Sequence, residues 1–390
     1  MRRSPMSRRG APTRTELRPA CWLGLLSLAL LGTSCGDPIV VLGDAPGFMR
    51  VIAGIPDSLG VRIDSLGTRT RLTDPSAVAF DHERSLVYVV DRGAVRQQGG
   101  ITQRVARIMS VDSRSRLKLL VDAGGCLTGA CLHQAAQMVP APDGTFLIAD
   151  PIGHRVQRFD PLTLALSVVA GTGTGAFTPD GAPAASSPVS APAGVAVAGD
   201  GTIYFSEQGA SRVRYIDGSG ALRTLAGTGT SGYEGDGGPA VEATLRLPSG
   251  LALGDGALYV ADVGSHTIRI VHLGNGVIET LAGGGGAGFS GDGGPAQLAQ
   301  LFIPTSLVLS VDGATLYVSD RENHRVRLIR LESGTIQTFA GTGSTQFTGS
   351  RGPAGETSLR WPTGLAVTER GFLYIADTGH YIVWRAALTL

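Results

Sequence analysis

The chain has 390 residues, of which 57 are Gly and 21 are Pro, so about one position in five disfavours a helix interior and a mainly helical protein is excluded. A hydrophobic fraction of 43% beside 17% charged residues, with Gly spread along the chain, also excludes wholesale disorder and a collagen-like repeat. The formal net charge of +1 comes from the first 20 residues, where six Arg face Glu16; the remainder holds 27 basic and 31 acidic residues, a net of −4, which disfavours nucleic acid as a partner.

In chain order, residues 1–35 come first. Arg2, Arg3, Arg8, Arg9, Arg14 and Arg18 precede an apolar run at 21–31, the basic and hydrophobic regions of a signal peptide. A run of about 11 residues is too short to cross a hydrocarbon core of about 30 Å. The segment Leu31-Gly32-Thr33-Ser34-Cys35 resembles a bacterial lipobox. The resemblance implies cleavage before Cys35, its diacylation and a membrane anchor in the cell envelope, with simple secretion as the alternative. Residues 36–48 read as a linker and 49–390 as the folded domain. In an oxidising compartment Cys126 and Cys131 are expected to form a disulfide closing the loop CLTGAC.

From there the chain repeats itself. The clearest copy has short β-runs at 247–253, 257–262, 267–271 and 277–283, bounded by Gly or Asp turns. The acid ending the second run recurs as Asp91, Asp150, Glu207, Asp262, Asp320 and Asp377, at separations of 59, 57, 55, 58 and 57 residues. The last unit lacks a fourth run, and residues 49–53 have its pattern. The expectation is an all-β, six-bladed β-propeller of four-stranded antiparallel blades, its ring closed by an N-terminal strand that completes the last blade.

The segment Asp320-Arg321-Glu322-Asn323-His324-Arg325-Val326-Arg327 and the Pro-x-Gly-Leu-Ala-Val type of first strand resemble the NHL repeat, over residues 49–390. The tract Gly-Asp-Gly-Gly-Pro-Ala at 235–240 and 291–296 is similar to extracytoplasmic, teneurin-type NHL propellers. The resemblance implies the propeller but no activity, because this scaffold hosts binding modules and enzymes alike.

In such a meander the turns between strands one and two are short, as at Asp255-Gly256, while the two-three turns and the Gly-rich blade connections share the opposite rim. A ligand is expected on that loop-rich rim or at the mouth of the central channel. His154, His266 and His324 stand four residues beyond the repeated acid and His380 three. They are candidate ligands for a divalent metal, set against a structural role within their own turns. Asp236 and Asp292 in the Gly-Asp-Gly-Gly loops are candidates for binding a ligand, against a role for these glycines in turn geometry and blade contact. Blade 1 breaks the symmetry with an enlarged two-three loop, which makes Arg92, Arg96, Gln97 and Gln98 the favoured binding candidates. No G-x-S-x-G, H-E-x-x-H or Walker sequence is present. The functional expectation is an exported, lipid-anchored, non-catalytic module that binds a protein, peptide or glycan without a cofactor. The alternative is a metal-dependent lyase or lactonase-like hydrolase using the rim histidines.

Overall fold

The computed structural model describes residues 45–56, 66–98, 101–121 and 131–388, and their side chains except at 94–98 and 101–105. Cys35, the expected signal peptide and Cys126 lie outside the described residues. Blade 1 consists of Pro75–Asp81, Leu86–Gln98, Ile101–Val111 and Leu117–Val121, each strand antiparallel to the next. The same order recurs at 137–170, 192–226, 248–282 and 304–340 for blades 2 to 5. The strands form where the period-two pattern allows one face, or both, to be covered. In blade 4 the second strand Ala257–Asp262 is buried throughout, whereas the outermost strand Ile278–Ala282 buries Ile278 and exposes Glu279.

Blade 6 takes three strands from the C-terminus, Pro362–Thr368, Phe372–Asp377 and Ile382–Ala387, and its fourth, Phe48–Ala53, from the N-terminus. The closing ladder pairs Met49 with Ala386, Arg50 with Arg385 and Val51 with Trp384. The short strand Arg351–Pro353, in the connection from blade 5, then pairs with Phe48–Arg50 on the outer side. Other connections shield their outer edges similarly. Gly237 N donates to Ile278 O at 2.8 Å, and Gly293 N donates to Ile336 O at 2.8 Å. These bonds occupy groups on which another chain would otherwise pair.

The core lies between blades rather than within one. Leu147 and Val156 of blade 2 pack with Val195, Phe205 and Leu222 of blade 3, and Val383 and Tyr374 of blade 6 pack with Val78, Val89 and Met109 of blade 1. Each large apolar side chain buried in this way contributes about 1.5–3 kcal/mol, so no blade is stable without neighbours. First strands of successive blades touch in ring order, and the first strand of blade 6 touches that of blade 1. They therefore surround the central axis.

Candidate functional site

Where the first strands converge, one station per blade decides how closely they approach: Ala77, Gln137, Gly194, Gly250, Ser306 and Gly364. A Cβ on Gly194 would lie 2.0 Å from Ser249 O, and one on Gly250 would lie 2.3 Å from Thr305 O. The glycine of the Pro-x-Gly pattern therefore serves contact between blades. Gln137 departs from it. Its Nε2 donates to Leu251 O at 2.7 Å, and its Oε1 accepts from Leu251 N at 2.9 Å and Val195 N at 3.1 Å. One buried amide thus ties blade 2 to the backbones of blades 3 and 4.

Beyond Gln137 the channel widens into a cavity of about 350 Å³ that opens on the face of the short one-two turns. All six blades line it. The wall begins with Ala79, Val139, Ala196, Ala252, Val308 and Ala366, and continues through Val197, Leu253, Leu309 and Val367. At the rim His82 Nδ1 stands 3.6 Å from Glu369 Oε1. The sequence expectation included a channel mouth but favoured the loop-rich side; this mouth lies on the other.

On the loop-rich side the repeated acids bind the chain together. Asp91 Oδ1 accepts Thr73 N and Asp74 N, while Oδ2 accepts Arg107 Nε at 2.8 Å. Glu207 accepts Ser190 N and Arg214, and Asp320 accepts Phe302 N and Arg327. Each acid holds the lead-in to its blade's first strand against the third strand. Burial raises the pKa of Glu207 and Asp320 from ordinary carboxyl values, and pushes Asp262 up to about 7. Asp262 Oδ2 has no hydrogen-bond partner, because Arg269 donates to Thr244 O and Asp236 instead.

The candidate binding acids Asp236 and Asp292 are likewise engaged. Asp236 accepts the buried Arg269 at 2.5 Å, and Asp292 accepts the buried Arg327 at 2.6 Å and Thr338 Oγ1 at 2.7 Å. Asp180 pairs with Arg214 at 3.0 Å in the same manner. The aspartate of these loops therefore supplies a second carboxylate to Arg214 and Arg327 and the one bonded carboxylate to Arg269, guanidinium groups with no exposed surface.

His154, His266 and His324 share a backbone conformation and a partner. Their φ values are +48°, +60° and +56°, and each Nδ1 accepts a backbone N–H 37 residues ahead, from Ala191, Ile303 and Trp361 at 3.0, 3.2 and 3.3 Å. Those three partners directly precede the first-strand proline of the next blade and also have positive φ, +48°, +56° and +53°. The imidazoles thus bind the one irregular residue that starts the neighbouring blade. Such a bond needs the tautomer protonated on Nε2. Burial lowers the pKa of His266 and His324, which favours this neutral form.

His380 occupies a different station, since the left-handed residue of blade 6 is Tyr381, φ +61°. Its Nδ1 lies 2.8 Å from Asp377 Oδ2 and its Nε2 lies 2.9 Å from Thr345 O, the place of Asn323 in blade 5. This accounts for its offset of three rather than four. Among the described residues no group of three or more His, Cys, Asp or Glu is placed to hold a metal ion.

Blade 1 differs from the reading of an enlarged loop. Its second and third strands continue as a ladder past the rim, pairing Arg96 with Gln103, Gln97 with Thr102 and Gln98 with Ile101, so that only Gly99 and Gly100 connect them. Neither the first strand, whose last pair on that side is Pro75 with Asp91, nor the fourth, which ends opposite Ile108, follows them. Arg92 at its base is turned inward, Nε 2.8 Å from Asp74 Oδ2 and NH1 donating to Gln134 Oε1 at 2.8 Å. The alternation of Val95, Arg96 and Gln97 across a Gly-Gly pair was the signal for a hairpin.

No family model matches the chain. NHL repeat-containing protein 2 of Homo sapiens is 27% identical over 275 residues, 63% of this chain and 38% of that protein. Teneurin-4 of Homo sapiens is 31% identical over 205 residues, 46% of this chain and 7% of that protein. The chain thus matches less than two fifths of the length of these relatives. Among solved structures, an auxiliary nutrient binding protein of Bacteroides thetaiotaomicron superposes with a TM-score of 0.62 at 14% identity, covering 87% of this chain and 75% of that one. A gluconolactonase of Xanthomonas campestris superposes at 0.53 and 14%, covering 90% and 99%. Six blades in register and the closing N-terminal strand make this chain a six-bladed β-propeller, similar in sequence to NHL repeat-containing relatives.

Proposed function

We propose that this propeller is a non-catalytic binding module of the bacterial cell envelope, exported by residues 1–35, anchored through Cys35, and gripping an extended segment of a partner protein on its loop-rich face. The blade 1 hairpin carries this reading. Beyond Arg92 and before Ala106, whose N–H groups donate to Asp74 O and Leu132 O, its two strands pair with each other and with no third strand among the described residues, which offers two ladder edges for strand addition by a peptide. Apolar side chains are exposed on the blade connections of this face as well: Tyr233, Leu247, Phe289 and Phe302 are 59%, 49%, 40% and 37% exposed. The superposed Bacteroides protein is called nutrient binding, which supports a binding role. The engagement of His154, His266, His324 and His380 in the scaffold weighs against the metal-enzyme alternative. A disulfide between Cys126 and Cys131 would brace the connection beside the hairpin.

The test replaces residues 93–105 with a two-residue turn and compares crosslinked partners from a cell-envelope fraction. Capture by the natural chain and its loss in an equally stable shortened variant is the expected result; equal capture by both would refute the hairpin. Replacing Cys35 with Ser should move the protein from the membrane to the soluble fraction, and an unchanged membrane fraction would refute the anchor. Stoichiometric metal in the purified protein, lost on His266→Ala, would favour the enzyme reading instead.

A further inference from the structure

The geometry of the channel mouth points to a second site, on the opposite face, for a small uncharged molecule with an apolar body and one hydrogen-bond donor. The cavity of about 350 Å³ is at the low end of pockets that hold small ligands, too small for a folded partner. One level of the first strands carries only small or β-branched residues, Ala79, Val139, Ala196, Ala252, Val308 and Ala366, and all six line the chamber. Gln137 closes it at depth, and both ends of that amide are already bonded to blades 3 and 4, so the floor has no strong demand for water. The wall's side chains are mostly aliphatic, while the inner edges of the first strands, paired on one side only, present backbone N–H and C=O groups to the axis, so a guest gains apolar contact and can meet main-chain partners.

The rim supplies the orienting group. Glu369 is 69% exposed and touches only the His82 ring edge at 3.6 Å among its charged neighbours, so its carboxylate has acceptor capacity left for a donor carried by the guest. His82 is held by an edge-to-face contact with Phe80, whose ring in turn stacks on Tyr374 at 6.0 Å. These ring contacts set the position of His82 at the rim. The site shares no residue with the blade 1 hairpin, and the two stand or fall separately.

N-phenyl-1-naphthylamine, an uncharged diarylamine with a single N–H, is a suitable probe because its fluorescence rises in apolar surroundings. Saturable binding of one equivalent by the intact protein, with a raised melting temperature, is expected. Val139→Trp and Val367→Trp, which fill the mouth, should each weaken it by about tenfold or more, and Glu369→Gln by a few-fold. Ile152→Ser, in the two-three turn of blade 2 on the other face, should leave it unchanged. Absence of saturable binding, or equal binding by folded Val139→Trp and Val367→Trp proteins, would overturn the site. Should neither Trp variant fold, aromatic amines of increasing ring number provide the second test: affinity must collapse once the guest outgrows the chamber, and affinity that keeps rising with size would mark mere surface adsorption.

Discussion

Gly54, the residue after the N-terminal strand, lies against the carbonyl of Tyr381 so closely that a Cβ would sit 2.2 Å from the oxygen. Gly171 stands in the same relation to His154 and Gly283 to His266, at 2.2 and 2.3 Å, and φ is +92° at Gly54 and +96° at the other two. The N-terminal strand therefore reproduces the fourth strand of blades 2 to 5 down to its terminal glycine. Gly54 N also donates to Gly67 O at 3.0 Å, as Gly171 N does to Ala184 O at 3.1 Å.

Gly54→Ala should consequently cost about 2–4 kcal/mol, combining a left-handed backbone with a clash against rigid main chain. Gly256→Ala, at φ +73° but with nothing within 4 Å, should cost only about 1 kcal/mol. Equal losses in chemical denaturation would contradict this account of closure. Deleting residues 49–54 exposes the last blade's edge and should lower the melting temperature far more than either substitution.

Replacing Arg327 and Asp292 should have unequal effects. Arg327→Ala leaves Asp320, which has no exposed surface, without its cation and should cost about 3–5 kcal/mol. Asp292 is 41% exposed, so Asp292→Ala should cost about 1 kcal/mol because Asp320 still holds the guanidinium. Urea melts of the two variants decide it.

The cross-blade histidines make stability sensitive to mild acid. In the unfolded chain their pKa is near 6.5; in the folded protein burial lowers it for His266 and His324. As pH falls below about 6.5 the unfolded state takes up the proton first, so stability declines through that window down to the lowered folded pKa. His266→Gln and His324→Gln should reduce this decline while costing about 1 kcal/mol at pH 8, where the lost bond to Ile303 or Trp361 alone counts. An unaltered acid slope in the double variant would refute the assignment.

Asp262 acts with the opposite sign. With a folded pKa of about 7 against about 3.9 when unfolded, its contribution is fully present below the unfolded value and is lost as pH rises toward 7. Asp262→Asn keeps an acceptor for Arg246 N, which Asp262 Oδ1 meets at 2.6 Å, and removes the charge. Relative to the natural chain it should gain stability between pH 4 and 7, read as a difference in melting temperature across that range. A constant difference would show that Asp262 is ionised throughout.

The histidines show what a single copy of a repeat can and cannot reveal. Their recurrence at one offset was visible in the chain, and so was the odd offset of His380. Their role was not, because each Nδ1 meets an N–H 37 residues away, in the next blade. Asp236 and Asp292 were recognisable as repeated carboxylates, yet their partners Arg269 and Arg327 lie 33 and 35 residues ahead.

By itself the sequence determined the number of blades, their four-strand order and the closing strand Phe48–Ala53, since period-two patterning, turn residues and repeat spacing are local properties written along the chain. Only the tertiary structure decided which polar groups are engaged, that residues 92–106 continue as a ladder, and that a chamber opens beyond Gln137. That chamber is shaped by a few residues from each of the six blades and floored by an amide whose partner Leu251 is 114 residues distant. Such a space exists only when the ring closes, because no blade contains more than about a fifth of its wall.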